Sequence, residues 1–244
     1  MPDRTVLSIS GDDRISFLQG LVTNDVTKAE GSIIYTALLT PQGKFIADFF
    51  VIGEKDRLLV DVATSHAQIL GQRLMMYRLR AAVTIEQTDL IVSRGTGAKP
   101  DGAFDDPRHS AMGWRAYGDT DISDKTDWDA RRVENLIPKT GVELTEDTYV
   151  LEAGFEALNG VDFKKGCFVG QEIVARMKHK TTLKKGLAQV ALQGTASPGD
   201  AITSDGKPVG KLYTVCGDKA LAFLRFDRAE GAMQAGEATL TRLK

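Results

Sequence analysis

Cysteine and histidine are scarce: Cys167 and Cys216 are the two cysteines, and His66, His109 and His179 the three histidines, of a 244-residue chain. None falls into a CxxC or zinc-finger spacing, so the chain alone carries no pattern for a structural zinc site or a complete four-cysteine cluster. No apolar run approaches the roughly 18 residues of a membrane-spanning helix. The polar start Met1-Pro2-Asp3-Arg4-Thr5 leads into no apolar segment of the signal-peptide kind. Neither sign of charge dominates: the net charge of −2 excludes a surface that coats nucleic acid globally, while leaving room for a local basic patch. With 42% hydrophobic and 26% charged residues, the expectation is a soluble, cytoplasmic globular protein with one sizeable core or several small ones.

What is present is a succession of short elements. Asp12 or Asp13 can cap a helix carrying Ile15, Leu18, Leu21 and Val22 on one face. The β-rich runs 33–39 and 45–52 are joined by Pro41-Gln42-Gly43-Lys44, and a further strand over 58–62 completes an antiparallel meander backed by helices. Asp48 interrupts the second run, either on a solvated face, the commoner case, or as an acid facing a site. Thr64 or Ser65 opens a helix through Ile69, Leu70, Leu74 and Tyr77, followed by short strands at 82–86 and 90–93 and a long Gly-, Pro- and Asp-rich loop over 95–113. Helical spacing resumes over 127–137 with Trp128, Val133, Leu136 and Ile137. After Gly186 the runs 187–192, 209–215, 220–226 and 238–243 predict a small antiparallel barrel or sandwich, with Cys216 in a structural role. The boundary before it falls near 182–186.

The densest chemistry lies in Lys164-Lys165-Gly166-Cys167-Phe168-Val169-Gly170-Gln171-Glu172-Ile173-Val174-Ala175-Arg176. Ile173, Val174 and Met177 are at helical spacing, so Cys167 stands just before a helix start. That position, with Lys164 and Lys165 beside it, favours thiolate over thiol; the alternative is a buried cysteine acting as a small hydrophobe. Upstream, Glu152 in Leu151-Glu152-Ala153-Gly154 reads by itself as an acid in a helix's first turn. Downstream, Arg176, Lys178, His179, Lys180, Lys184 and Lys185 form a basic run without interleaved aromatics, a solvated face or an attractor of an anionic ligand tail or acidic partner.

Lys165-Gly166-Cys167-Phe168-x-Gly170-Gln171-Glu172 resembles the signature K-G-C-[YF]-x-G-Q-E of the YgfZ family, folate-binding relatives of the glycine-cleavage T-protein (aminomethyltransferase). Phe17-Leu18-Gln19-Gly20 with Thr23-Asn24-Asp25, Tyr35-x-x-x-Leu39 with Gly43 and Asp48, Tyr77-x-Leu79-Arg80, Asp106-Pro107-Arg108 and Leu158-Asn159-Gly160-Val161-Asp162-Phe163 are similar to family landmarks in the same order. The resemblance implies an α+β fold: a T-protein-like cloverleaf of two α+β units with antiparallel sheets over 1–183 (about 1–80 with later segments, and 81–183) plus a small β-barrel over 184–244. It implies tetrahydrofolate or a derivative as ligand, with Arg176 in the folate site and Glu152 accepting from two adjacent donors of the pterin ring. Cys167 becomes the functional thiol, framed by Lys165, Gly166, Phe168, Gly170, Gln171 and Glu172. The implied role is accessory, in assembly or repair of iron-sulphur clusters, including those of tRNA-thiolating enzymes, with iron-sulphur enzymes or assembly factors as partners. The alternative is a folate-dependent one-carbon transferase. The related enzymes carry two adjacent acids where this chain has Ala47-Asp48, so Asp48 would be the acid that remains. A pure scaffold would need neither the thiol nor the pterin acid.

Overall fold

The computed structural model describes residues 3–180 and 182–244, the Lys180 side chain excepted. Met1 and Pro2 of the polar start and the Lys180 side chain of the basic run lie outside the described residues. The chain divides into two compact units, Met1–Thr126 with Phe155–Ala175, and Asp127–Gly154 with Arg176–Lys244. Residues 127–154 therefore go with the C-terminal strands, whereas the sequence reading put its division at 183/184.

In the first unit, β1 (Arg4–Ser10), α1 (Arg14–Gln19), β2 (Ile33–Leu39), β3 (Phe45–Gly53), β4 (Arg57–Ala63), α2 (Thr64–Arg78) and β5 (Thr84–Gln87) build an antiparallel sheet ordered β2-β3-β4-β1-β5. Strand alternation sorts its two faces. Leu7, Ile9, Phe49, Val51, Val60 and Val62 pack with Leu18 of α1, Leu21 just after it, and Leu70 and Leu74 of α2 in one apolar core. The next residues along, Arg4, Tyr35, Asp48, Phe50 and Asp61, take the opposite face. A second sheet, β6 (Ile91–Gly95), β7 (Phe104–Asp105) and β8 (Trp114–Gly118) in the order β6-β8-β7, supplies residues to that face. The sequence reading did not foresee β1 or β8, and its loop over 95–113 contains β7.

The second unit holds α3 (Trp128–Glu134) and a closed barrel of β9 (Lys185–Gln193), β10 (Ala201–Ser204), β11 (Lys207–Cys216), β12 (Lys219–Arg225), β13 (Met233–Ala235) and β14 (Ala238–Arg242), ordered β10-β11-β12-β9-β14-β13. Ala188, Val190, Leu212, Leu224, Met233 and Leu240 fill it. The buried amide of Gln189 donates to Val133 O at 2.7 Å and Glu134 O at 3.1 Å, so the free carbonyls at the end of α3 are satisfied from the barrel wall. Cys216 packs with Leu136 against Val133, Leu187 and Leu221. The helix α4 (Gln171–Lys180) runs from the last residues of the first unit into the second. The fold is mixed α and β, with antiparallel sheets and a C-terminal barrel, as the sequence led one to expect.

Candidate ligand-binding site

The acids that interrupt the apolar strands of the first unit are buried, and each has a partner. Asp61 on β4 receives Arg4 Nε at 2.6 Å, Arg115 Nη2 at 2.5 Å and the Tyr117 hydroxyl at 2.9 Å. Burial raises its pKa, but the two guanidiniums outweigh that and hold it at about 2. Asp106 receives Arg108 Nε at 2.9 Å and Arg108 Nη2 at 2.7 Å, a bidentate pair. Arg108 and Arg115 lie over the Phe50 ring, 4.8 and 3.9 Å from its centroid. Asp48 is 3% exposed and accepts from the Tyr35 hydroxyl at 2.9 Å. The solvated-face reading of Asp48 is thereby corrected: its strand is covered on both faces, so alternation places it against the second layer instead of water. Burial, then the Asp48 charge, pushes the Tyr35 hydroxyl well above its ordinary pKa, so it remains a donor.

At the edge of this layer opens a cavity of about 520 Å³, lined by residues of the first unit that include Asn24, Lys28, Tyr35, Asn159, Asp162 and Lys164. Two landmark segments form its wall because they are sewn together. Asn24 Nδ2 donates to Tyr35 O and Asn159 O, both at 2.8 Å, Thr23 Oγ1 donates to Gly160 O at 2.7 Å, and Asp162 N donates to Thr23 O at 3.0 Å. Gly160 must be glycine, since a Cβ there would come within 2.6 Å of the Phe155 ring. The Lys28 ammonium meets Asp162 at 2.6 Å while its side chain stays 59% exposed. That bond raises the Lys28 pKa and, from the other side, lowers that of Asp162. Small-molecule sites are of this size, with apolar walls and few polar groups. Sequence reading singled out both segments but not their pairing, which is a long-range contact.

The signature segment leaves this wall. Its Lys165 does not act on the thiol: the buried ammonium donates to Gln19 O at 2.8 Å, Asn24 O at 2.9 Å and Val22 O, completing the turn after α1. Burial lowers its pKa to about 8. The expectation that both lysines favour the thiolate is corrected accordingly, since three backbone carbonyls outcompete a thiol for one ammonium. Phe168 is buried beneath the same ammonium, 5.1 Å from its ring centroid. Gly166 has open space where a Cβ would stand, whereas Gly170, at φ +84°, would drive a Cβ to 2.7 Å from Thr40 O. The glycine requirement is real at Gly170 alone of the two. Gly43, at φ +75°, would likewise meet Ile173 at 2.8 Å, so the hairpin tip seats the start of α4. Gln171 and Glu172 form the first turn of α4, with Glu172 exposed. Cys167 is exposed on the loop between these anchors, which overturns the buried-hydrophobe alternative.

Glu152 and Arg176 belong to the second unit. Glu152 is 8% exposed, its carboxylate stands 3.6 Å from Lys185 Nζ, and its carbonyl accepts from Leu187 N at 2.7 Å. Arg176 is exposed on α4. The structure thus anchors Lys165 and Phe168 at the turn after α1 and Gly170 at the β2–β3 hairpin, leaves Cys167 exposed between them, and holds Glu152 at the foot of the barrel.

Comparison with known proteins agrees with this architecture. Residues 184–244 match the family model described as the CAF17 C-terminal β-barrel domain. The chain is 27% identical to the mitochondrial iron-sulfur cluster assembly factor IBA57 of Mus musculus, across 94% of this chain and 78% of that protein. It is also 27% identical to the IBA57 homologue of Neurospora crassa, across 76% of this chain but only about half (51%) of that protein's length. A putative chloroplastic transferase of Arabidopsis thaliana is 38% identical over 38% of the chain. The crystal structure of the glycine cleavage system aminomethyltransferase T from Bartonella henselae superposes with a TM-score of 0.78 at 13% identity, covering 99% of this chain and 82% of the other, so the fold is that of the T-protein. The IBA57 relatives are mitochondrial proteins, which overturns the cytoplasmic expectation. Composition misled here because a polar, membrane-free chain describes either compartment.

Proposed function

We propose that this chain is a tetrahydrofolate-binding accessory factor in iron-sulphur cluster assembly or repair. Its partners would be cluster-bearing enzymes, tRNA-thiolating enzymes among them, or other assembly factors. The observation that carries the reading is the exposed Cys167 on a loop whose foot, Lys165, is tied to the wall of a cavity of small-molecule size. The IBA57 relatives support the cluster-assembly part, and the T-protein fold supports the folate part.

The cavity suits a reduced folate in kind: Ile33 and the exposed Phe163 give apolar wall for a planar body, and Lys28 and Lys164 give cations for carboxylates. Glu152, the pterin acid of the resemblance, is in the second unit and does not line this cavity, so the placement in the cavity does not rest on it. A reduced folate, when bound, supplies amines that accept one-carbon groups. The residues of this chain orient it, while the exposed Cys167 offers one sulphur ligand to an iron-sulphur species. One thiol completes no four-ligand set, so that ligation is shared with a partner or short-lived. The transferase reading is weaker, since an acid that must meet a reacting amine needs access and Asp48 lies buried under Tyr35.

The test is complementation. In cells lacking the gene, Cys167→Ser is expected to restore folded protein but not the activity of cluster-dependent enzymes, while Cys216→Ser restores both. Full rescue by Cys167→Ser removes the thiol from the function. Turnover in a glycine-cleavage reconstitution at ordinary enzymatic rates, on the order of 1 to 1000 per second, replaces the accessory role with the transferase.

A further inference from the structure

The outer wall of the barrel carries a groove of about 440 Å³ that the folate reading leaves unused. Strand register builds it. Lys185 on β9 stands directly opposite Arg225 on β12, and Lys211 on β11 directly opposite Phe223 on β12. Like charges facing each other across a ladder destabilise a sheet, so the Lys185–Arg225 pair is not explained by folding. Asp227 at 3.3 Å from Arg225 and 3.9 Å from Arg228, and Glu152 at 3.6 Å from Lys185, offset part of the charge; four cations against two acids remain. Between the cations lie the exposed Pro208 and the half-buried rings of Tyr213 and Phe223.

We propose that this groove binds an acidic polypeptide segment of a partner protein, its carboxylates meeting Lys185, Lys211, Arg225 and Arg228 and an apolar side chain between them resting against Pro208. The rings decide against a nucleic acid. A base needs a free aromatic face on which to stack, but Lys185 lies over the Phe223 ring at 5.8 Å and Lys211 over the Tyr213 ring at 5.6 Å. The barrel is closed, so no strand edge is open to add a peptide strand, and recognition falls to side chains. Charge complementarity then sets both partner class and encounter rate.

The experiment uses the full chain and a fluorescein-labelled peptide, Asp-Glu-Leu-Asp-Glu-Leu, followed by anisotropy at low ionic strength. The peptide is expected to bind, more weakly as salt is added. The double variant Lys211→Glu/Arg228→Glu should weaken binding about tenfold or more, while Lys55→Glu/Lys125→Glu, with the same change of net charge in the first unit, should alter it less than about twofold. Both variants are at exposed positions, and matching circular dichroism spectra confirm that they are folded. Absence of peptide binding, or equal weakening by the two double variants, overturns the proposal. Tighter binding of a single-stranded oligonucleotide, lost in Lys211→Glu/Arg228→Glu, overturns it in favour of nucleic acid.

Discussion

Ala188, Val190, Leu212, Leu224 and Leu240 fill the barrel with no charged group among them, whereas Arg4, Asp61, Arg108 and Arg115 are stacked on the inner face of the five-stranded sheet with Phe50 and Tyr35. Both interiors exclude water, by different means. The apolar filling tolerates changes that keep volume and pattern. The ionic layer does not, because deleting one partner strands a buried charge, and in exchange it fixes the orientation of each group. The candidate cavity lies at the edge of the oriented layer, sharing Tyr35 with it. Fixed geometry thus lies beside the candidate cavity, and plain packing fills the barrel.

Breaking the ionic layer should give the largest effect. Asp61→Ala leaves Arg4 and Arg115 without their shared carboxylate and is expected to cost roughly 3–5 kcal/mol in denaturant unfolding. If Asp61→Ala costs less than about 1 kcal/mol, the layer is not the constraint described. The barrel counterpart, Leu224→Ala, opens a cavity in an apolar core and should cost about 2–4 kcal/mol. Its expected signature is lost stability with unchanged tetrahydrofolate affinity in the folded fraction, and an equal loss of affinity would erase the difference between the two interiors.

A smaller effect comes from pH. The folded Asp61 titrates at about 2 against an ordinary 3.8, so between those values the unfolded chain binds the extra proton and stability falls as pH falls. The contribution, about 2 kcal/mol, is complete above pH 3.8 and gone below about 2. Asp61→Asn should flatten this acid limb in denaturant midpoints measured between about pH 2 and 5, and an unchanged limb assigns it to other carboxylates.

Much of this was legible in the chain. The runs 33–39 and 45–52 and the helix opening at Thr64 carry their β-rich or helical pattern inside one segment, and β2, β3 and α2 appear there. β1 was missed because it opens on Arg4, whose charge is explained only by Asp61 across the ladder. β8 was missed because Trp114-Arg115-Ala116-Tyr117-Gly118 shows neither clean alternation nor a continuous apolar run. One signal was available: an acid in each of two adjacent apolar strands, Asp48 and Asp61, calls for buried partners. At the site, the signature located Cys167, but the direction of Lys165 depends on three carbonyls that lie far away in sequence.

The most direct test of the central claim is a calorimetric titration of the full chain with tetrahydrofolate, run beside Lys28→Glu/Lys164→Glu, Glu152→Ala and Leu224→Ala. Binding is expected in the unmodified chain, weakened by about 1–3 kcal/mol in Lys28→Glu/Lys164→Glu and unaltered in Leu224→Ala, while an unchanged affinity in Glu152→Ala removes only that residue's pterin assignment. No heat from the unmodified chain at saturating ligand, or an affinity that Lys28→Glu/Lys164→Glu leaves untouched, would contradict the placement of a folate in the cavity of the first unit.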